Sequence, residues 1–140
     1  MRLSKNFTEA ELTKTNTGIL NYCNWPESER LFYLANYLLQ PIRDKFGALQ
    51  ISSGYRNEKV NNAVDGEKTS AHLRGMAADF IPLDAPIDQV FEWAKKNLVY
   101  SQVILENKEG KRWIHIALAE TQKQNQIAMI YENNIYKIIA

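Results

Sequence analysis

The sequence predicts an α+β domain in which helices flank a small antiparallel sheet. Helical patterns lie mainly before residue 98, β-rich runs dominate the remainder, and polar turn residues separate those runs. Helices and strands that are segregated in this way favour antiparallel pairing, because parallel strands need alternating crossover helices. The length of 140 residues and the apolar content of 45% suit one domain over residues 1–140 with one core.

The first elements are two helices. Thr8, with Glu11 three positions later, predicts the N-cap of a short helix. A longer helix is predicted from Pro26 to a stop at Gly47, and Pro41 should kink it or split it in two. The apolar residues that repeat in this helix at steps of three and four are Leu31, Leu34, Leu38, Ile42 and Phe46.

The middle of the chain alternates between strand and helix signals. The run "LQISSGY" predicts a strand, and "NEKVNNAV" predicts one or two helical turns. A further helix is predicted over "PIDQVFEWAKKN", with Asp84 as its cap.

The last part of the chain predicts strands. The runs "QVILE" and "RWIHIAL" surround the polar turn "NKEGK". The runs "IAMIY" and "IYKII" surround "ENN", whose asparagines tolerate the positive φ of a tight hairpin. These runs complete the predicted antiparallel sheet.

Composition and charge argue against several classes of partner. The 17 basic and 16 acidic residues are interspersed, which is not typical of a nucleic-acid-binding surface. No stretch approaches the roughly 20 apolar residues that span a bilayer, and the N-terminus has no apolar run after its basic residues. Cys23, the single cysteine, cannot form an internal disulfide. We expect a monomer with a small or locally polar partner.

The stretch "SAHLRGMAAD" at residues 70–79 places an imidazole and a carboxylate close together. If Gly75 ends a helical turn that carries His72, the following residues run on as a strand. Alternation then points Asp79 and Ala77 to the face opposite the apolar residues. The arrangement leaves a carboxylate beside a small side chain, with access for a metal ion.

The second histidine completes a possible ligand set. In "RWIHIAL", alternation gives His115 the same face as Trp113 and Ala117, opposite the aliphatic face that suits the core. Two imidazoles and one carboxylate suit zinc, and three protein ligands leave a fourth position open, which is typical of a catalytic site. The spacing alone leaves open that both histidines are structural.

Three ordered motifs carry a resemblance to a known family. The motifs "SGYR" at 53–56, "SAHLRGMAAD" at 70–79 and "WIH" at 113–115 resemble the zinc D-alanyl-D-alanine carboxypeptidase family of peptidoglycan peptidases, which includes phage endolysins. The upstream runs "LSKNFTEAEL" and "LQPIRDKFG" are similar to its small single-domain branch, so the resemblance covers about residues 3 to 118. The resemblance implies a hedgehog/DD-peptidase-like fold and leaves the last hairpin outside it.

The resemblance implies roles for four residues. His72, Asp79 and His115 would bind one Zn²⁺ ion, and Arg56 would bind the substrate carbonyl or the oxyanion that develops on it. A fixed guanidinium charge suits that task. The other reading of Arg56 is a surface arginine that pairs with a nearby acid.

The general base departs from the family pattern. Members of the family often carry an acid three residues before the last histidine, where this chain has Arg112, which cannot accept a proton. Glu106 is the nearest acid on the preceding strand. If "NKEG" is a four-residue turn, Glu106 lies opposite Lys111 and Gln102 faces His115. Glu106 is then either the base or a solvated partner of Lys111, and Gln102 would position water or substrate.

Two aromatic residues are candidates for the walls of a substrate groove. Tyr55 follows the first strand and Trp113 precedes His115. Aromatic residues on a sheet are also common in cores, so both readings stay open.

Three functions are compatible with the sequence. The first is a zinc metallopeptidase that cleaves peptidoglycan stem peptides, as a carboxypeptidase or as an endopeptidase. The second is a non-catalytic zinc module that binds peptidoglycan or a protein, and the third is a metal-free interaction domain. For the peptidase, we expect a chain without a signal peptide, made in the cytoplasm and acting at the cell wall, encoded by a phage or exported by another route.

Overall fold

A computed structural model describes residues 1–119 and 126–139, which contain helices and a six-stranded sheet. The α-helices are Glu9–Leu12 (α1), Glu27–Leu34 (α2), Gln40–Phe46 (α3), Glu58–Ala63 (α4) and Ile87–Asn97 (α5). The strands are Leu49–Ser53 (β1), Ala77–Pro82 (β2), Tyr100–Lys108 (β3), Lys111–Leu118 (β4), Ile127–Glu132 (β5) and Ile135–Ile138 (β6). The predicted α+β class is confirmed.

The two N-terminal helices form where the sequence predicts them. The Thr8 hydroxyl accepts a hydrogen bond from the Glu11 N–H at 3.2 Å and caps α1. A π-helical segment, Ala35–Leu39, joins α2 to α3. Pro41 lies in the first turn of α3, where an N–H is not needed, and Gly47 ends the helix with φ 91°. The helical backbone nevertheless runs without a break from Glu27 to Phe46, so the predicted split at Pro41 was wrong; a π-helical segment lies just before the proline instead.

The sheet has the strand order β1-β2-β4-β3-β5-β6. All neighbouring strands are antiparallel except β3 and β5, which are parallel. The sheet is thus mostly antiparallel, as predicted, and the parallel pairing of β5 with β3 is a feature that the sequence did not predict. Because β2 and β3 occupy both edges of β4, the chain after β4 cannot extend the sheet beside β4, and β5 joins it at the edge of β3.

One face of the sheet packs against the long helices. Ile114 and Ile116 of β4 are fully buried, and they belong to one apolar cluster with residues of α2, α3 and α5. The cluster members from these helices are Leu31, Leu34, Ile42, Val90, Phe91 and Ala94. The alternation along β2 and β4 leaves their opposite face for polar side chains.

Helix α5 begins differently from the prediction. Asp84 does not cap it, because α5 begins after Pro86 without a side-chain cap. The Asp84 carboxylate instead accepts a hydrogen bond from the Ala48 N–H at 3.0 Å, which ties the start of β1 to the chain that follows β2. Among the described helices, none is long and apolar enough to cross a membrane.

Candidate metal centre

The sheet and the turn before β2 bring together the three side chains that the sequence nominates as ligands. Asp79 pairs with His115 across β2 and β4, so both side chains lie on one face. His115 Nδ1 is 2.9 Å from Asp79 Oδ1, and His72 Nε2 is 3.5 Å from Asp79 Oδ2. One donor atom from each residue lies within 4.8 Å of the other two. The three side chains therefore form one cluster.

A short 3₁₀ turn, Ala71–Arg74, presents His72. The Ser70 hydroxyl accepts a hydrogen bond from the His72 N–H at 3.2 Å, and Gly75 ends the turn in the left-handed conformation with φ 73°. A turn that carries His72 and ends at Gly75 was predicted, and the structure confirms it.

The ring of His72 is held in one tautomer. His72 Nδ1 donates a hydrogen bond to the Gly54 carbonyl at 2.7 Å, which leaves Nε2 as an acceptor that faces Asp79. Burial lowers the pKa of His72, although Asp79 opposes the shift, so the imidazole is neutral near pH 7. This outer hydrogen bond is the kind that orients metal-ligating histidines.

Gly54 is a site residue that the sequence reasoning missed. A Cβ at this position would lie 2.3 Å from the Leu12 carbonyl oxygen, so only glycine lets the backbone approach α1 and present its carbonyl to His72. Two residues further on, the Arg56 N–H donates a hydrogen bond to the His72 carbonyl at 3.0 Å. The glycine in "SGYR" is the sequence signal that could have identified this contact.

The charges of the cluster depend on one another. Burial alone would raise the pKa of Asp79, but the two imidazoles outweigh burial and hold this pKa far below its ordinary value. Burial alone would lower the pKa of His115, but the hydrogen bond and charge of Asp79 raise it overall. A carboxylate that stays ionised beside two ring nitrogens is a suitable donor set for a cation.

Glu106 lies closer to the cluster than the predicted register allows. It pairs with Trp113, and Ile104 pairs with His115. The predicted pairs, Glu106 with Lys111 and Gln102 with His115, were wrong. The cause is the length of the turn, which has two residues instead of the predicted four. These are Glu109 and Gly110, and both have positive φ.

The Glu106 carboxylate is held by an indole. Trp113 Nε1 donates a hydrogen bond to Glu106 Oε2 at 2.5 Å. Burial and the charge of Asp79 raise the pKa of Glu106, while His115, Trp113 and Arg56 oppose the shift. A carboxyl group whose pKa is raised in this way is suited to accept and return a proton.

A groove of about 1030 Å³ surrounds the metal-ligand candidates. Arg56, Gln102, Glu106 and Trp113 also line it, so the structure brings these nominated residues together. Tyr55 does not reach the groove: its side chain is buried in the apolar core. Residues of β5 and β6 contribute to the groove as well, which the sequence reasoning did not anticipate.

Arg56 places a half-buried positive charge beside the cluster. Burial lowers the pKa of Arg56, and the negative charges of Asp79 and Glu106 oppose this shift. Its Nε is buried without a hydrogen-bond partner in the part of the chain that the structure describes. A guanidinium stays protonated under these conditions, so it can offer N–H donors to a negative ligand atom.

Arg112 lies outside the groove. Its guanidinium makes a two-point ion pair with the Asp88 carboxylate of α5, at 2.6 and 3.3 Å. Because side chains alternate along β4, Arg112 and His115 point to opposite faces of the sheet. An acid at position 112 of this strand would therefore not face the three ligand candidates.

A small α+β domain with two imidazoles and a carboxylate in an open groove has the arrangement of a metallohydrolase. The family model described as Peptidase M15 matches residues 5–117, and the chain belongs to this family. The resemblance that the three motifs indicated is thereby confirmed at the level of the family. A comparison with curated proteins gives no match.

Proposed function

We propose that the protein is a zinc metallopeptidase that hydrolyses peptide bonds in the stem peptides of bacterial peptidoglycan. The observation that carries the proposal is the convergence of His72, Asp79 and His115 within 4.8 Å, in a chain of the Peptidase M15 family. The bond cleaved is either that before a terminal D-alanine or one within the stem or cross-link.

The donor set fits zinc better than the harder divalent cations. Two imidazole nitrogens and one carboxylate oxygen are typical zinc ligands, whereas magnesium and calcium prefer oxygen donors. The anchored tautomer of His72 presents Nε2 to the centre without a proton. When bound by these three residues, zinc supplies Lewis-acid activation of a water molecule and of the scissile carbonyl.

The remaining groove residues supply proton transfer and charge. We assign Glu106 as the general base: Oε2 accepts from Trp113, and Oε1 is the atom that takes the proton of the attacking water. The same carboxyl group then returns this proton to the leaving amine. Arg56 donates N–H groups to the oxygen of the substrate carbonyl, where negative charge develops.

The alternative is a non-catalytic zinc module that has lost its general base. The sequence argument for it was Arg112 at a position that is often acidic. Arg112 pairs with Asp88 on the other face of β4, so this substitution does not remove a base from the groove. Glu106 in the groove supports the peptidase over the module.

The Arg112→Ala variant provides a test of this reasoning. We expect unchanged hydrolysis of peptidoglycan and a fall in unfolding free energy of less than about 1 kcal/mol, because both partners of the ion pair are well exposed. Urea unfolding and the rate of peptide release measure the two quantities. A large loss of activity without unfolding would mean that Arg112 acts in the reaction.

The proposal is tested by mass spectrometry of peptidoglycan fragments. Purified peptidoglycan is incubated with the protein, with a chelator-treated sample and a zinc-restored sample in parallel. Chelator-sensitive loss of terminal alanine identifies a carboxypeptidase, and chelator-sensitive release of shorter stems identifies an endopeptidase. Unchanged profiles across several wall types, with zinc bound, would refute the peptidase and favour the non-catalytic module.

The proposed activity requires delivery to the wall. On this proposal, the protein is made in the cytoplasm and reaches peptidoglycan either through phage lysis or by another export route. The proposed substrate is a peptide, and the reaction needs one metal ion in one chain.

A further inference from the structure

The hairpin of β5 and β6 forms one side of the groove that contains the metal centre. Ile127 and Met129 of β5 and Tyr136 of β6 line the groove together with the ligand candidates. The family match ends at residue 117, before this hairpin begins. The hairpin therefore adds a wall to the groove that the family match does not include.

Strand pairing fixes which hairpin residues face the groove. In the parallel pairing of β3 with β5, Met129 aligns with Ile104 and Ile127 aligns with Gln102. Ala128 lies between them on the other face and is fully buried in the core. The alternation therefore places Ile127 and Met129 on the same face as the metal centre, as an apolar surface beside Gln102.

Tyr136 is the polar part of this wall. Its ring packs on Tyr131, with the centroids 4.5 Å apart. The Tyr131 hydroxyl donates to the Asn134 side chain at 2.9 Å, whereas the Tyr136 hydroxyl makes no hydrogen bond with any described residue. Tyr136 is 55% exposed. Partial burial and nearby acids, led by Glu106, raise its pKa, so the hydroxyl keeps its proton. Tyr136 therefore offers the groove an uncommitted hydrogen-bond donor.

The surrounding charges indicate what this donor would bind. The hydroxyl lies in the field of Glu106 and Glu67, two acids that are not among the proposed zinc ligands, which disfavours a substrate carboxylate on this side of the groove. A neutral main-chain carbonyl accepts a hydrogen bond without this repulsion. The apolar surface of Ile127 and Met129 suits small aliphatic side chains such as the methyl group of alanine.

We propose that Tyr136 is a substrate-binding residue: its hydroxyl donates a hydrogen bond to a main-chain carbonyl of the stem peptide, and Met129 and Ile127 contact an alanine-sized side chain. This inference rests on the proposed function, because it assumes a peptide in the groove. It adds to that function a role for the β5–β6 hairpin, which would supply part of the enzyme's specificity for a neutral segment of the peptide.

The test compares two variants that each lose one phenol oxygen. In Tyr136→Phe, we expect KM for soluble muropeptides to rise about 2- to 12-fold with kcat nearly unchanged, as for the loss of one neutral hydrogen bond made equally in ground and transition states. In the control Tyr131→Phe, whose hydroxyl bonds Asn134, KM should stay at the wild-type value. Equal unfolding midpoints for both variants exclude a loss of the hairpin.

Other outcomes separate this inference from the proposed function. If the wild type and both variants cleave muropeptides with the same KM, the role of Tyr136 is refuted while the peptidase assignment stands. If the zinc-loaded wild type cleaves nothing, the peptidase assignment fails, and the dissociation constant of the same muropeptides then decides the role of Tyr136. Weaker binding to Tyr136→Phe than to Tyr131→Phe supports that role, and equal binding or no binding to any of the three proteins overturns it.

Discussion

Replacing His72 with alanine is expected to abolish metal retention and peptidase activity together. His72 is 2% exposed, and its Nε2 faces Asp79 because Nδ1 is committed to the Gly54 carbonyl. Loss of an outer partner of a metal ligand costs about 10–100-fold in affinity, and loss of the ligand itself should cost more. Metal analysis after gel filtration, combined with the fragment assay, measures both effects.

His115→Ala, which removes the candidate ligand on β4, should likewise abolish metal retention and peptidase activity together. The matched control is Cys23→Ser, because Cys23 is the one thiol in the chain. Burial, with the charges of Glu9 and Glu27, raises the pKa of this thiol to about 11, so it is not a thiolate near pH 7. Full metal content is expected in the control. Normal zinc content in both folded histidine variants would refute the proposed centre.

The ligand cluster could be predicted because it depends on local rules. Alternation along a strand decides which face Asp79 and His115 occupy, and a glycine in the left-handed region decides where the turn with His72 ends. These rules need no knowledge of the partner strand. The same alternation correctly assigned Ile114 and Ile116 to the core.

Register and long-range packing could not be predicted in the same way. The distance from Glu106 to the centre depends on the length of one turn, and "NKEG" is compatible with a turn of two or of four residues. Tyr55 follows β1 and directly precedes Arg56, which suggested a place in the groove. Its ring instead packs in the apolar core, among residues of helices that are distant in sequence. The parallel pairing of β5 depends on which of two free sheet edges, that of β1 or that of β3, the chain joins after β4 has paired.

Glu106→Gln is expected to lower kcat by about 10²–10⁴-fold, the usual contribution of a general acid or base. The glutamine side chain has nearly the same shape, and its amide oxygen can still accept the hydrogen bond from Trp113. An amide cannot accept the proton of the attacking water, so the loss should appear in kcat. Zinc content should remain at the wild-type value, because Glu106 is not among the three clustered ligand candidates.

The matched control for this change is Glu109→Gln, which makes the same substitution in the exposed turn of the β3–β4 hairpin. We expect it to leave kcat and zinc content unchanged. Full turnover in Glu106→Gln would show that another group takes the proton, and Asp65 and Glu67, which also line the groove, would be the next acids to replace. Because His72→Ala loses the metal and Glu106→Gln keeps it, the pair of variants separates metal binding from proton transfer. A non-catalytic zinc module would reproduce the metal contents of both variants but would have no kcat for Glu106→Gln to lower.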